Sequence, residues 1–116
     1  MAGDWIKVEK ATPDKSEMRG AARLCGVSVA EVFLGWFRLW THFDAETEDG
    51  FIAGFTQADA DFFARMPGLG FAFEQAGWLV FDDQGCHIQN WERHNGKSSK
   101  KRAVNNYRLQ AWRKPA

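Results

Sequence analysis

The stretch from Val29 to Phe43 constrains the fold more than any other, because almost none of its surface can face water. Val29, Val32, Phe33, Trp36, Phe37 and Trp40 recur at helical spacing, and Leu34, Leu39 and Phe43 widen the apolar face around the helix. Such a helix belongs at the centre of a core. A chain of 116 residues with six Trp and ten Phe has the material to cover it as one domain. Ser28 and Glu31 stand three apart at its start, the spacing of a capping box. Gly35 interrupts it at a cost of about 1 kcal/mol relative to alanine, which marks the close approach of a neighbouring element.

The remaining elements are read outward from that helix. Trp5-Ile6-Lys7-Val8 alternates as a short strand does, and Thr12-Pro13-Asp14 turns the chain into a helix over 15–25 that Gly26 closes. After the polar turn 44–50 comes a strand, Phe51 to Gly54. Thr56 then caps a helix with Asp59 placed to reach back, and Pro67-Gly68 ends it. A short helix over 69–76 follows. Strands over 78–81 and 86–91, around the turn 82–85, form a hairpin. Asn95-Gly96 breaks the chain, Ser98 or Ser99 caps, and 100–112 reads as a final helix. The expectation is an α+β, mainly helical fold. It is a winged helix-turn-helix with an extra N-terminal strand and helix and a basic C-terminal helix, divided into a body (1–91) and a tail (92–116).

The net charge of zero conceals a division. Through Trp91 the chain holds seven Lys/Arg against fourteen Asp/Glu; from Glu92 onward it holds eight against one. A basic tail on an acidic body points to nucleic acid or another polyanion as partner. The bland alternative is a helix folded back onto its own acidic domain.

Catalytic and metal templates are not met. His87, His94 and Cys86 lie close in sequence, but without a CxxC, an HxxxH or a second ligand pair. Gly68-Leu69-Gly70 lacks the third glycine and the lysine of a phosphate loop. No enzyme activity, cofactor or metal is expected. No apolar run approaches the roughly 20 residues of a membrane span. The first ten residues lack the pattern of a signal peptide, so a cytoplasmic protein with two free thiols, Cys25 and Cys86, is expected.

In the winged-helix register the recognition helix is 69–76. It carries no Lys or Arg, and Gln75 is its one candidate for a base contact. Phe71 and Phe73, where exposed, would instead suit a protein partner. The tail is the stronger element: its cations are interleaved with Asn105, Asn106, Tyr107 and Trp112, which combines phosphate neutralisation with groups able to stack on bases.

Trp5-Ile6-Lys7, Leu24-Cys25-Gly26-Val27 before Glu31-Val32, Arg38-Leu39-Trp40, Asp49-Gly50-Phe51-Ile52 and Gly77-Trp78-Leu79 carry a resemblance. With them the sequence resembles the N-terminal winged-helix domain of phage and prophage replication proteins of the replisome-organiser or origin-binding type. The most specific block of the resemblance is Arg93-His94-Asn95-Gly96-Lys97-Ser98 with Lys100-Lys101-Arg102-Ala103. It implies a DNA-binding domain of a replication initiation protein, acting on double-stranded in preference to single-stranded DNA, with host replication proteins as further partners. Phosphate contacts are expected mainly from the tail and wing region, through Arg93, His94, Lys97, Lys100, Lys101, Arg102 and Arg108, with Gln75 as a base contact. The competing expectation is an acidic protein-interaction module, an inhibitor or adaptor bound to a host protein.

Overall fold

The computed structural model describes residues 5–113, and the side chains in that span except those of 93, 97–99 and 109–113. The architecture is mixed α+β and mostly helical. A 3-10 turn, Thr12–Asp14, leads into α1 (Ser16–Cys25) and α2 (Val29–Glu46); β1 (Phe51–Ala53), α3 (Gln57–Ala64) and α4 (Leu69–Gln75) follow. The hairpin β2 (Leu79–Phe81) and β3 (Gly85–Ile88) precedes α5 (Trp91–His94) and α6 (Lys97–Arg113). The strands form one antiparallel sheet in the order β1-β3-β2, with Phe51 opposite His87 and Val80 also opposite His87.

As its spacing requires, α2 is central. Val32, Trp36, Leu39, Trp40 and Phe43 are buried, and α1, α3 and β1 pack around them. Trp40 meets Phe73 and Trp78 edge-on at 5.7 and 6.1 Å and lies 5.3 Å from Trp36, so an aromatic chain ties α2 to α4 and to the start of the hairpin. Gly35 is a point of close approach: a Cβ there would lie 2.8 Å from Leu69 Cδ2. At the start of α2 the Ser28 hydroxyl accepts from the Glu31 amide at 3.1 Å. The capping box at α3 is complete, with Asp59 N donating to Thr56 Oγ1 and Thr56 N donating to Asp59 Oδ2 at 2.9 Å. Asp61 serves the next helix rather than its own: its carboxylate accepts from the amides of Gly68 and Gly70 at 2.9 and 2.8 Å, at the entry to α4.

Five boundaries depart from expectation, the first being that α2 runs on to Glu46 through the start of the expected turn 44–50. Residues 5–8 form no strand, and the sheet consists of β1, β3 and β2 without them. α3 stops at Ala64, where Arg65 adopts a left-handed conformation (φ 58°), ahead of Pro67. The last strand ends at Ile88, because Asn90 turns left-handed (φ 58°) and starts α5. α6 begins at Lys97, so Ser98 and Ser99 lie inside the helix and neither precedes it as a cap.

The turn before β1 fixes α5 in place. The Trp91 indole donates to the Glu48 carbonyl at 3.1 Å, and Gly50 (φ 79°) leaves the room it needs: a Cβ at Gly50 would lie 2.5 Å from Trp91 Cβ.

Three groups give the fold a pH dependence of definite sign: Asp49, held below its ordinary 3.8 chiefly by the hydrogen bond it accepts from Thr47, and two that join separate elements. His42 lies flat on Phe63, ring centroids 3.6 Å apart, and burial holds its pKa below the ordinary 6.5, against the smaller opposing influence of Glu46. Glu9 is held below its ordinary 4.5 chiefly by its hydrogen bond to His94. All three shifts are downward, so the unfolded chain binds more protons and stability falls on acidification. The urea midpoint is expected to decline first below pH 6.5 and again below pH 4.5. His42→Phe should remove the first decline and Glu9→Gln should reduce the second, leaving the part that belongs to Asp49; a midpoint flat from neutrality to pH 4.5 in the parent protein would count against the His42 assignment.

The two cysteines are free thiols of unequal access. Cys86 is fully buried, and burial pushes its thiol up to about 12; Cys25 is half-buried and raised for the same reason. Iodoacetamide should modify native protein at Cys25 and reach Cys86 only after unfolding, as peptide mass spectrometry would report.

Candidate nucleic-acid interface

The basic tail is tied to the body at its root. Lys100, on the first turns of α6, is 2% exposed. Its ammonium lies 2.6 Å from Asp44 Oδ1 near the end of α2, donates to the Trp5 carbonyl at 2.5 Å, and sits 5.1 Å from the centroid of the Trp5 ring. Lys100 therefore does not contact phosphate in this arrangement. Its charge is satisfied inside the protein, which corrects the expectation that it belongs to the phosphate-binding set. Asp44 stands four residues after Trp40 on the buried side of α2, so an acid on an apolar face was the sequence signal for a buried cation.

His94 makes a second attachment. Its Nδ1 lies 2.5 Å from Glu9 Oε1, joining α5 to the segment ahead of the 3-10 turn. Lys15 and Lys7 add their attraction to the same carboxylate. Glu9 and Trp5 are thus working parts of the tail's mounting that charge counting alone passed over.

Beyond Lys100 the helix leaves the body. The face defined by Lys100, Ala103, Val104 and Tyr107 passes from fully buried through half-buried to 72% exposed. Lys101, Arg102, Asn105, Asn106 and Arg108 are all exposed. Lys101, Asn105 and Arg108 fall four and three residues apart, on one face of α6, with Arg102 and Asn106 beside them. The side chains of Arg93 and Lys97, the remaining tail cations of the expected set, lie outside the described residues, as does that of Trp112.

The hairpin and α4 contribute differently from what was expected. The hairpin tip is closed by Asp82, whose carboxylate accepts from the amides of Gln84 and Gly85 at 2.8 and 3.0 Å, and it exposes Asp82 and Asp83. It adds no cation to the interface. α5 and α6 start from the opposite, open end of the hairpin, beyond Ile88. Gln75 is exposed on α4 but borders a shallow groove against α1, with Glu17 and Leu24, and is not brought together with the tail cations. Its neighbour Glu74 accepts from the Gln57 side-chain amide at 2.5 Å. Phe73 is fully buried, whereas Phe71 is 47% exposed.

Among the described residues no three His, Cys, Asp or Glu side chains are grouped to hold a metal ion, and no single helix is long and apolar enough to cross a membrane. No family model matches the chain, and neither does any curated protein or solved structure.

Proposed function

We infer that the protein is a non-enzymatic, winged-helix DNA-binding domain of the kind that acts in phage replication initiation, with α6 as its principal DNA contact. The observation that carries this reading is the contrast along α6. One cation at the root is buried and neutralised, while Lys101, Arg102 and Arg108 stand exposed on a helix directed away from an acidic body. Were the tail a shield for its own domain, those cations would lie on body carboxylates; Lys100 is the tail lysine paired in that way among the described side chains. The helix pair α3 and α4 ahead of a hairpin, with strand order β1-β3-β2, supports the winged-helix part, and the block 93–103 supports the replication part.

A helix of this kind neutralises phosphates without reading bases through α4, so binding should be weakly sequence-specific and steeply salt-dependent. Fluorescence anisotropy with a labelled duplex, and with its separated strands, tests the reading. Saturable binding that weakens with salt, favours the duplex and disappears when residues 101–116 are removed is the expected result. Undiminished binding by the shortened chain would overturn it.

The acidic protein-interaction reading draws on a different observation: Phe62 is 72% and Phe71 47% exposed, large apolar side chains that a domain acting on DNA alone has no use for. A stoichiometric protein partner kept by the chain shortened at residue 100, with no DNA affinity in the intact protein, would favour it.

A further inference from the structure

The apolar side chains of α2 run round the whole helix, the pattern of a helix enclosed on all sides. The fold leaves one side open. Ala30, Leu34, Phe37, Thr41 and Ala45 are all exposed and follow one another down that side, with Leu34 46% and Phe37 42% exposed. Apolar side chains scattered singly over a surface need no explanation, but this row is continuous and holds no charge. From Ala30 to Thr41 its members stand four, three and four residues apart, the alternation of the a and d positions of a coiled-coil seam. Leu34 and Phe37 are therefore placed as knobs for the holes of a facing helix.

The edge of the row indicates which helix that is. Glu31 and Arg38 flank it on one edge, each at the position that follows a d residue. Neither side chain is in an ion pair among the described residues, and at two turns apart, roughly 10 Å along the axis, they do not reach each other. An antiparallel second copy of α2 supplies both partners at once. Setting Leu34 against the copy's Phe37, and Ala30 against its Thr41, brings Glu31 opposite the copy's Arg38, and the twofold axis repeats every contact. A parallel copy sets Arg38 against Phe33 and gives neither charge a partner. We propose that the outer face of α2 is a self-association surface, on which two copies of the chain pair antiparallel through a seam of Leu34 and Phe37, closed along one edge by two reciprocal Glu31–Arg38 contacts. One helix pair of this length falls short of the roughly 800 Å² per partner of a standard interface, so the dimer dissociates on dilution. The proposal does not rest on the DNA-binding reading above.

Sedimentation equilibrium on the intact protein, freed of nucleic acid, is the test. The mass is expected to rise from one chain to two between low micromolar and submillimolar concentration. Leu34→Ser and Phe37→Ser should each weaken the dimer about tenfold or more, while the circular dichroism of the dilute proteins stays that of the folded parent, since both positions are open in the single copy. Arg38→Glu and Glu31→Arg each set like charges opposite one another and should weaken the dimer severalfold. Mixed in equal amounts, those two variants should pair with each other as tightly as the parent pairs with itself, because every Glu31–Arg38 contact then joins opposite charges. Replacing Lys101, Arg102 and Arg108 should leave the association unchanged, which separates this surface from the α6 interface whichever of the two fails. A protein that stays single at submillimolar concentration overturns the proposal and leaves the row to a different partner. A dimer indifferent to both Leu34→Ser and Phe37→Ser, or one lost with the α6 cations, has its contact elsewhere and also overturns it. A mixture that pairs no better than its components overturns the antiparallel arrangement.

Discussion

Replacing Lys101, Arg102 and Arg108 together with alanine is expected to lower the slope of log affinity against log salt for duplex DNA by about 2.7, at roughly 0.9 for each phosphate no longer neutralised. Because the body is strongly acidic, little binding remains at physiological salt once those cations are gone. The single variants Lys101→Ala, Arg102→Ala and Arg108→Ala each remove close to one third of the slope change and weaken all duplex sequences alike, as backbone contacts do. Gln75→Ala, on a part of α4 that the tail does not reach, leaves the slope where it was. Anisotropy titrations over a range of salt concentrations supply all of these values. A triple variant with an unaltered slope would remove α6 from the interface.

The second large effect concerns stability. Lys100→Ala leaves Asp44 with an uncompensated charge in a buried place, and Asp44→Ala does the same to Lys100. Breaking a buried pair from one side typically costs about 3–5 kcal/mol. For a domain of this size that is a fall in Tm on the order of 10–20 °C. The double variant Lys100→Met, Asp44→Leu removes both charges and fills the space, and should recover most of the loss, since apolar replacement of a buried pair is often neutral or better. Thermal unfolding by circular dichroism on the three proteins decides the matter. Single variants within about 1 kcal/mol of the parent would mean that the pair behaves as an exposed one. Both single variants should also release the root of α6, seen as faster amide exchange in its first turns.

What the sequence made legible, and what it did not, follows from the range over which each element is determined. α2 was plain because its own side chains repeat at helical spacing. The capping box at Thr56 and Asp59 and the hairpin around residues 82–85 were plain because turns and caps are settled by near neighbours. Residues 5–8 alternate as a strand does, but alternation does not supply a partner, and the sheet closes on three strands without them. Trp91 reads as the end of a strand until its indole is seen to need the Glu48 carbonyl, 43 residues earlier in the chain. The tail was legible as a charge, not as a geometry. Nothing near Lys100 distinguishes it from Lys101, and what sets it apart is a carboxylate 56 positions away.

The anchorage of α6 bears on how association would be driven. A detached basic tail is a shifting ensemble, and its cations must be brought into line with the phosphates when the complex forms, at a cost in conformational entropy. Here the buried ammonium of Lys100 fixes the root of the helix during folding, so a DNA partner would meet it already oriented. Association with DNA would then resemble the docking of a rigid body more than folding upon binding, and the expected signature is a small change in heat capacity with a free energy dominated by the release of counterions.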